Sequence, residues 1–344
     1  MRTAFVILLI LSASIAQSQI FKGTVYDKST DSTLSYAIIY ISGTSIGTAA
    51  DKHGNFALDV SGYASMPITI SLIGYYSFTL SEHSSTKSYD IYLSPKIKEL
   101  NEVVVTAKNG NRETYMRIFR REFLGESNNA MECDILNEKD LRFVYYADSS
   151  TLRAYSLQPI LIHNKALGYT ITYYLDKFKY TRKSGAFGEY MITFIVLGNY
   201  LIKDEILTLT DTEKRKTEER RKKAYLGSRM HFFRLLHQGN LSQIGNYNIS
   251  LSDDPAVSKG FLIGSKTPVK ADSLVIRQDS SSSYLRDEGA LNVKFRLKYS
   301  KLTIKMDSVY FQKNGYFDPL EIWFEGEMSK QRIGDLLPFE YFLK

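Results

Sequence analysis

Residues 36–60 read YAIIYISGTSIGTAADKHGNFALDV, and this stretch decides the fold class. Ala37, Ile39 and Ile41 fall on one side of an extended chain, and Phe56, Leu58 and Val60 on one side of another, because strand side chains alternate between faces. Between them, Gly43 and Gly47 flank a connection. Asp51-Lys52-His53-Gly54 then offers an Asp that can bond its own backbone and a Gly that accepts positive φ, which predicts a hairpin turn. Ile68, Ile70 and Leu72 repeat the alternation further on. Short strands separated by turn residues over 19–94 therefore predict a small antiparallel β-sandwich.

The stretches that carry this pattern resemble a known family. Gly23-Thr24-Val25-Tyr26-Asp27, Tyr36-Ala37, Ser42-Gly43-Thr44, Gly47-Thr48, Asp51 to Gly54 with Phe56, and Ile73-Gly74-Tyr75 are similar in order and spacing to the carboxypeptidase-regulatory-like domain. Ser35 departs from the Pro often found there. The resemblance implies a transthyretin-like sandwich, which in carboxypeptidases accompanies a catalytic domain without supplying zinc ligands, so no peptidase is implied. Over 95–110, the run Leu100-Asn101-Glu102-Val103-Val104-Val105-Thr106-Ala107 resembles the segment that joins this domain to the plug in outer-membrane receptors of the Bacteroidota. The residues after Ala107 are too few for a large receptor barrel with strands of ~10 residues each. By propensity the segment is a Val-rich strand acting as a linker.

Residues 1–18 begin with Arg2, continue through the apolar stretch 4–11 and end in Ala16-Gln17-Ser18, the pattern of a secretory signal peptide cleaved before Gln19. The expected address is periplasmic or outer-membrane-associated. No later stretch approaches the ~20 apolar residues of a membrane-spanning helix. The chain has 344 residues, 44% of them hydrophobic and 24% charged, so two folded units are expected and wholesale disorder is excluded. Its 25 Tyr and 19 Phe favour strands. The formal charge is +7, and residues 213–223 place seven Lys or Arg beside three Glu, a pattern usual for a solvated helix.

Residues 111–344 read as a β-rich α+β region with antiparallel sheet and two helices. The first helix spans 111–124, with Tyr115, Ile118, Phe119 and Phe123 at helical spacing, a basic outer face and a Gly125 cap. The second spans 212–236 and buries Leu226, Met230, Phe233 and Leu236. Strands are expected where Leu141, Phe143 and Tyr145 alternate with Arg142 and Val144, and where Tyr169, Ile171, Tyr173 and Leu175 alternate with polar neighbours. Val293, Phe295, Leu297 and Tyr299 form another alternating set, followed by Leu302, Ile304 and Met306. Asn314-Gly315 predicts a hairpin turn, and 280–283 an exposed loop. Phe123 to Ser127, Asn164 to Tyr169, Lys223 to Ser228 with His231-Phe232, and Asp335 to Pro338 together resemble exported Bacteroidota proteins that pair such a region with the regulatory-like domain.

Signatures of chemistry are sparse. The five His show no metal-binding pair at three-to-five-residue spacing, and the single Cys133, flanked by Glu132 and Asp134, lacks an activating base. Nucleophile-elbow, phosphate-loop and calcium-loop patterns are not present, so no catalytic residue, cofactor or metal ligand is assigned. Nucleic acid does not suit an exported protein. The expectation is a non-enzymatic envelope interaction or scaffold protein with an envelope or outer-membrane protein as partner. A surface glycan- or peptide-binding protein, or a hydrolase linked to outer-membrane uptake, is the second reading, with a glycan as its ligand. The interaction residues proposed for the second helix are Arg220, Lys223, Tyr225, Arg229, His231 and Arg234, with His231 and Arg234 as an anion-binding pair on its polar side.

Overall fold

The computed structural model describes residues 19–63, 65–96, 112–184, 189–242, 245–252 and 266–343. The leader 1–18, the 100–107 motif and most of the 95–110 linker lie outside the described residues. The protein is mainly β with some α, and its chain divides into two compact units: Met1–Ile41 with Ile46–Lys96, and Ser42–Ser45 with Ile97–Lys344.

The first unit contains β1 (Ile20–Asp27), β2 (Ile38–Ile41), β3 (Gly47–Ala49), β4 (Asn55–Asp59), β5 (Ile68–Ser71), β6 (Phe78–Leu80) and β7 (Ser88–Leu93). They form a three-stranded sheet, β4-β1-β7, and a four-stranded sheet, β3-β2-β5-β6. Phe56 and Leu58 from one sheet and Ile39, Ile41, Ile68 and Ile70 from the other are buried, as their alternation predicts. Two details differ from the sequence reading. The β1–β7 pair is parallel. The Asp51–Gly54 turn forms as expected, with Asp51 Oδ1 accepting from His53 N at 2.8 Å and Asn55 N at 2.9 Å, but it joins strands of opposite sheets instead of closing a hairpin. Turn chemistry fixes the reversal; only burial of both flanking strands decides which sheet each joins.

The second unit begins with α1 (Arg112–Leu124), α2 (Asn128–Met131), β8 (Cys133–Ile135), β9 (Leu141–Tyr146), β10 (Thr151–Ser156), β11 (Ile160–Asn164), β12 (Tyr169–Ser184) and β13 (Tyr190–Asp204). These strands make one six-stranded sheet. β13 pairs with β12 along nearly its whole length, so β11 and β10 share the other edge, β11 against residues 169–173 and β10 against 178–181. A register shift between Leu175 and Lys177 separates the two halves. α1 packs on the inner face: the Phe119 ring lies 4.8 Å from Phe123 and from Phe178, and Phe123 meets Tyr173 edge-on at 4.9 Å.

The chain continues as α3 (Asp211–Tyr225), α4 (Arg229–Gln238), β14 (Tyr247–Ser252), β15 (Lys266–Pro268), β16 (Val275–Arg277), β17 (Ser282–Arg286), β18 (Leu291–Phe295), β19 (Lys298–Ile304), β20 (Ser308–Gln312) and β21 (Ile322–Gly326). Two further sheets result, β15-β14-β18-β19-β21 and β16-β17-β20. Phe232, Phe233, Leu235 and Leu236 of α4 are buried in their shared core.

The expected long helix over 212–236 is two helices. Leu226 is extended, Gly227 has φ +84° and the Ser228 hydroxyl caps the new helix by accepting from His231 N at 2.9 Å. A Cβ on Gly227 would sit 2.7 Å from the Phe295 ring as well as forcing an unfavourable φ. Gly227→Ala is expected to destabilise the protein by about 2 kcal/mol in chemical denaturation. An unchanged midpoint would show that Phe295 can give way.

Other departures concern period-two stretches. The alternation over 293–299 is a hairpin: Phe295 pairs with Lys298 across Arg296 (φ +56°) and Leu297, which is 87% exposed. A two-residue turn preserves the alternation and so hides in it. Met306 is likewise exposed, unlike Leu302 and Ile304. The expected loop 280–283 is half strand, with Ser282 and Ser283 buried in β17, while Asp279 accepts from the amides of Ser281 and Ser282. The Asn314-Gly315 turn forms, and Gln312 N donates to Tyr316 O at 2.8 Å.

Candidate functional site

The six interaction residues expected on a single helix are separated by the helix break. Arg220 pairs with Glu132 at 2.8 Å across half-exposed side chains, and Lys223 is exposed. Arg229 is half-buried and holds Gln331 through its own amide at 2.9 Å, Nε at 3.2 Å and Nη2 at 2.9 Å. Burial, then the neighbouring Arg332, lowers its pKa to about 10, so it stays charged.

Tyr225, His231 and Arg234 meet, but inside the protein. Arg234 is 3% exposed. Its Nε donates to Asn314 O at 2.8 Å, Nη1 to Tyr341 O at 2.6 Å and Nη2 to Phe339 O at 3.0 Å, while the guanidinium lies 4.3 Å from the Phe342 ring. His231 Nδ1 accepts from Gly227 N at 3.2 Å and lies 3.0 Å from Tyr247 Oη, so the neutral ring carries its proton on Nε2. Burial first, then Arg234 and Arg296, pushes its pKa down to about 4. The expected solvent-facing anion pair is therefore corrected to a buried cation and a neutral imidazole that tie α4 to the β20 turn and to 339–342. Polarity alone suggested exposure, whereas a buried Arg is tolerated once backbone carbonyls take its donors.

The sequence reading missed Arg221. It is 4% exposed and forms a two-pronged pair with Asp204 at 2.8 and 3.0 Å. It also donates to Leu167 O at 2.8 Å and stacks 3.9 Å over Tyr169. Its signal was the stripe Thr217, Arg221, Tyr225 at spacings of four, the only buried positions of α3. Cys133 is buried, donates from Sγ to Asn129 O at 3.3 Å and has its thiol pushed up to about 12, by burial first and then Asp335, which suits packing and not nucleophilic attack. Among the described residues no group of three His, Cys, Asp or Glu could hold a metal ion. An open hollow of about 680 Å³ lies over α1, but Arg120 in it is paired with Glu138 and Arg112 donates to the Leu141 and Glu138 carbonyls.

Less committed is the outer face of the six-stranded sheet, where Arg142 donates to the Lys139 and Leu141 carbonyls and Arg153 lies 5.0 Å over the Tyr146 ring, but the β12 lysines make no ion pair among the described residues. Directly paired residues share a face, so the registers place Arg142 (β9), Arg153 (β10) and Lys177, Lys179 and Lys183 (β12) opposite the α1 side. Arg153 stands directly across from Lys179, an unfavourable like-charge pair. β9, β10 and residues 176–184 and 189–198 together hold six Lys or Arg against two carboxylates, Asp176 and Glu189, at the borders. Among the described residues none of the five outer cations pairs with a carboxylate.

In the first unit Asp27, Asp51 and Asp59 are committed to turns. A Cβ on Gly23 would meet Tyr89 O at 2.0 Å, so the β1–β7 pair requires glycine there. Asp27 Oδ1 accepts from Ser29 N at 2.6 Å and Oδ2 from Tyr75 Oη at 2.7 Å. These bonds, the Ser29 hydroxyl first, hold its carboxyl down at about 2. Residues from separated motifs thus lock one fold. Residues 21–105 match the CarboxypepD_reg-like domain. No curated protein matches the chain. The CarboxypepD_reg-like domain accordingly uses Gly23, Asp27 and Tyr75 to hold its own strands and turns.

Proposed function

We propose that this chain is a non-catalytic interaction protein of the bacterial cell envelope, exported by its leader and binding an anionic partner through the outer face of the six-stranded sheet. The observation that carries the reading is the cation-rich face on which Arg153 stands across from Lys179. Like charges held side by side cost stability unless a counter-charge offsets them, and a patch of one sign favours association with the opposite sign. The buried arginines support it from the other side, since their donors are occupied by carbonyls and Asp204.

The test is a pull-down of tagged mature protein from native envelopes at moderate salt, beside a Lys177→Glu/Lys179→Glu/Lys183→Glu variant. Envelope material is expected with the parent and about tenfold less with the variant. Equal recovery from both, or metal-dependent hydrolysis by the parent, would overturn the reading.

Trp323 favours glycan binding as a second reading. It is 63% exposed on β21, although Lys305 lies 3.5 Å over its ring. A free indole face stacks on sugar rings. Under this reading Trp323→Ala abolishes retention on envelope polysaccharide without moving the melting temperature, and unchanged retention removes it.

A further inference from the structure

The outer face carries a second property that a soluble polyanion would not use. Each β12 lysine stands across from an aliphatic side chain of β13: Lys177 from Leu197, Lys179 from Ile195 and Lys183 from Met191. Met191 is 61% exposed and Ile195 42%. Toward the end of the hairpin the exposure extends to the other face, with Tyr190 at 58% and Ile192 at 47%. There the Arg182 guanidinium lies 3.6 Å over the Tyr190 ring. Cations and exposed apolar groups therefore run together along residues 177–184 and 190–197, a strip of roughly 25 Å at ~3.3 Å per residue.

We infer that the outer face of residues 177–184 and 190–197 docks on the surface of an anionic lipid bilayer. The inference rests on the proposed binding role of the same face and names its partner. Lysine heads reach lipid phosphates while their stems, with Met191 and Ile195 on the same face, enter the boundary between headgroups and acyl chains. An acidic polymer would neutralise the cations yet leave those apolar side chains in water. An uncharged bilayer would accept the apolar groups but leave the cations without counter-charge. The anionic bilayer satisfies both.

The test uses the full mature chain and vesicle co-sedimentation. Binding to vesicles of phosphatidylcholine and phosphatidylglycerol in equal parts is expected to be about tenfold or more stronger than to phosphatidylcholine alone, and to weaken with salt. The triple Lys→Glu variant should lose this preference. Met191→Ser/Ile195→Ser, both at exposed positions, should bind the anionic vesicles about tenfold more weakly while keeping its retention on an immobilised soluble polyanion. Equal binding to both vesicle types, or anionic-vesicle binding by the serine variant as strong as the parent's, would overturn the lipid assignment. If the envelope pull-down still depends on the three lysines in that event, the face binds an acidic protein or polymer and only the lipid inference fails.

Discussion

Arg234→Met is expected to destabilise the protein by about 4 kcal/mol, the largest effect of any single substitution considered. Methionine fills much of the same space but donates nothing, so the carbonyls of Asn314, Phe339 and Tyr341 lose the donors now 2.6 to 3.0 Å away. Each buried acceptor left without a partner costs about 1–3 kcal/mol. The loss falls on the link between α4 and residues 339–342, so that segment should become protease-sensitive before the rest of the chain. Arg234→Lys should fall between, because a single ammonium cannot span carbonyls set around a planar fork. Thermal melting of the three proteins is the measurement, with a fall of about 10 °C for the methionine variant. Melting within about 2 °C of the parent would mean that the clamp contributes little.

The second large effect is on pH. In the unfolded chain His231 titrates at its ordinary value of 6.5, and in the folded protein at about 4. Above pH 6.5 both states hold a neutral ring and the contribution is fully present. As pH falls below 6.5 the unfolded chain takes up a proton that the folded protein refuses, and stability drops by about 1.4 kcal/mol per unit. The loss is complete near pH 4, at roughly 3 kcal/mol. The groups facing the ring enforce this: Arg234 and Arg296 repel a second positive charge, Tyr225, Tyr247 and Phe295 exclude water, and the Gly227 amide needs Nδ1 as an acceptor. Carboxylates such as Asp27, held low by its turn, weaken the fold in acid as well. They are shared with a His231→Gln variant, so the difference in unfolding free energy between parent and variant isolates the histidine. That difference should shrink by roughly 3 kcal/mol between pH 7 and pH 4. A constant difference would place the ring's folded pKa near its ordinary value.

The charge-reversal and serine variants of the sheet face belong to another class. Their side chains are exposed or half-buried, so they should alter binding and leave stability within about 0.5 kcal/mol. Stability and the proposed binding thus separate by position: the α4 core carries the first, and the second is assigned to the β12–β13 hairpin.

Much of this was readable in one dimension. The sandwich core followed from Ile39, Phe56, Leu58 and Ile70, and α1 from Tyr115, Phe119 and Phe123, because a period of two or of about 3.6 converts directly into a face. The break between α3 and α4 was written in Leu226-Gly227-Ser228, a glycine able to turn left-handed followed by a helix-capping serine, although the apolar stripe on either side masked it. The spacing of Lys177, Lys179 and Lys183 puts them on one side of a strand, but strict alternation would make it the buried side of Tyr169 to Leu175; the register shift after Leu175 turns them to the opposite face.

Sequence by itself could not reveal which charges are free. Arg220, Arg221, Arg229 and Arg234 are the same residue type in one basic stretch, yet one pairs on the surface, one is locked to Asp204, one holds Gln331 and one is buried among carbonyls. Chain-distant partners make that difference: Asp204, Gln331 and Phe339 are brought up by the fold. The same holds for the candidate face, where Arg142, Arg153 and the β12 lysines are scattered until antiparallel pairing sets them side by side. Local periodicity determined the strands, helices and turns of this protein; long-range pairing alone decided which cations were satisfied inside and which were left facing outward, because a charge's cost or use depends on what stands across from it in space.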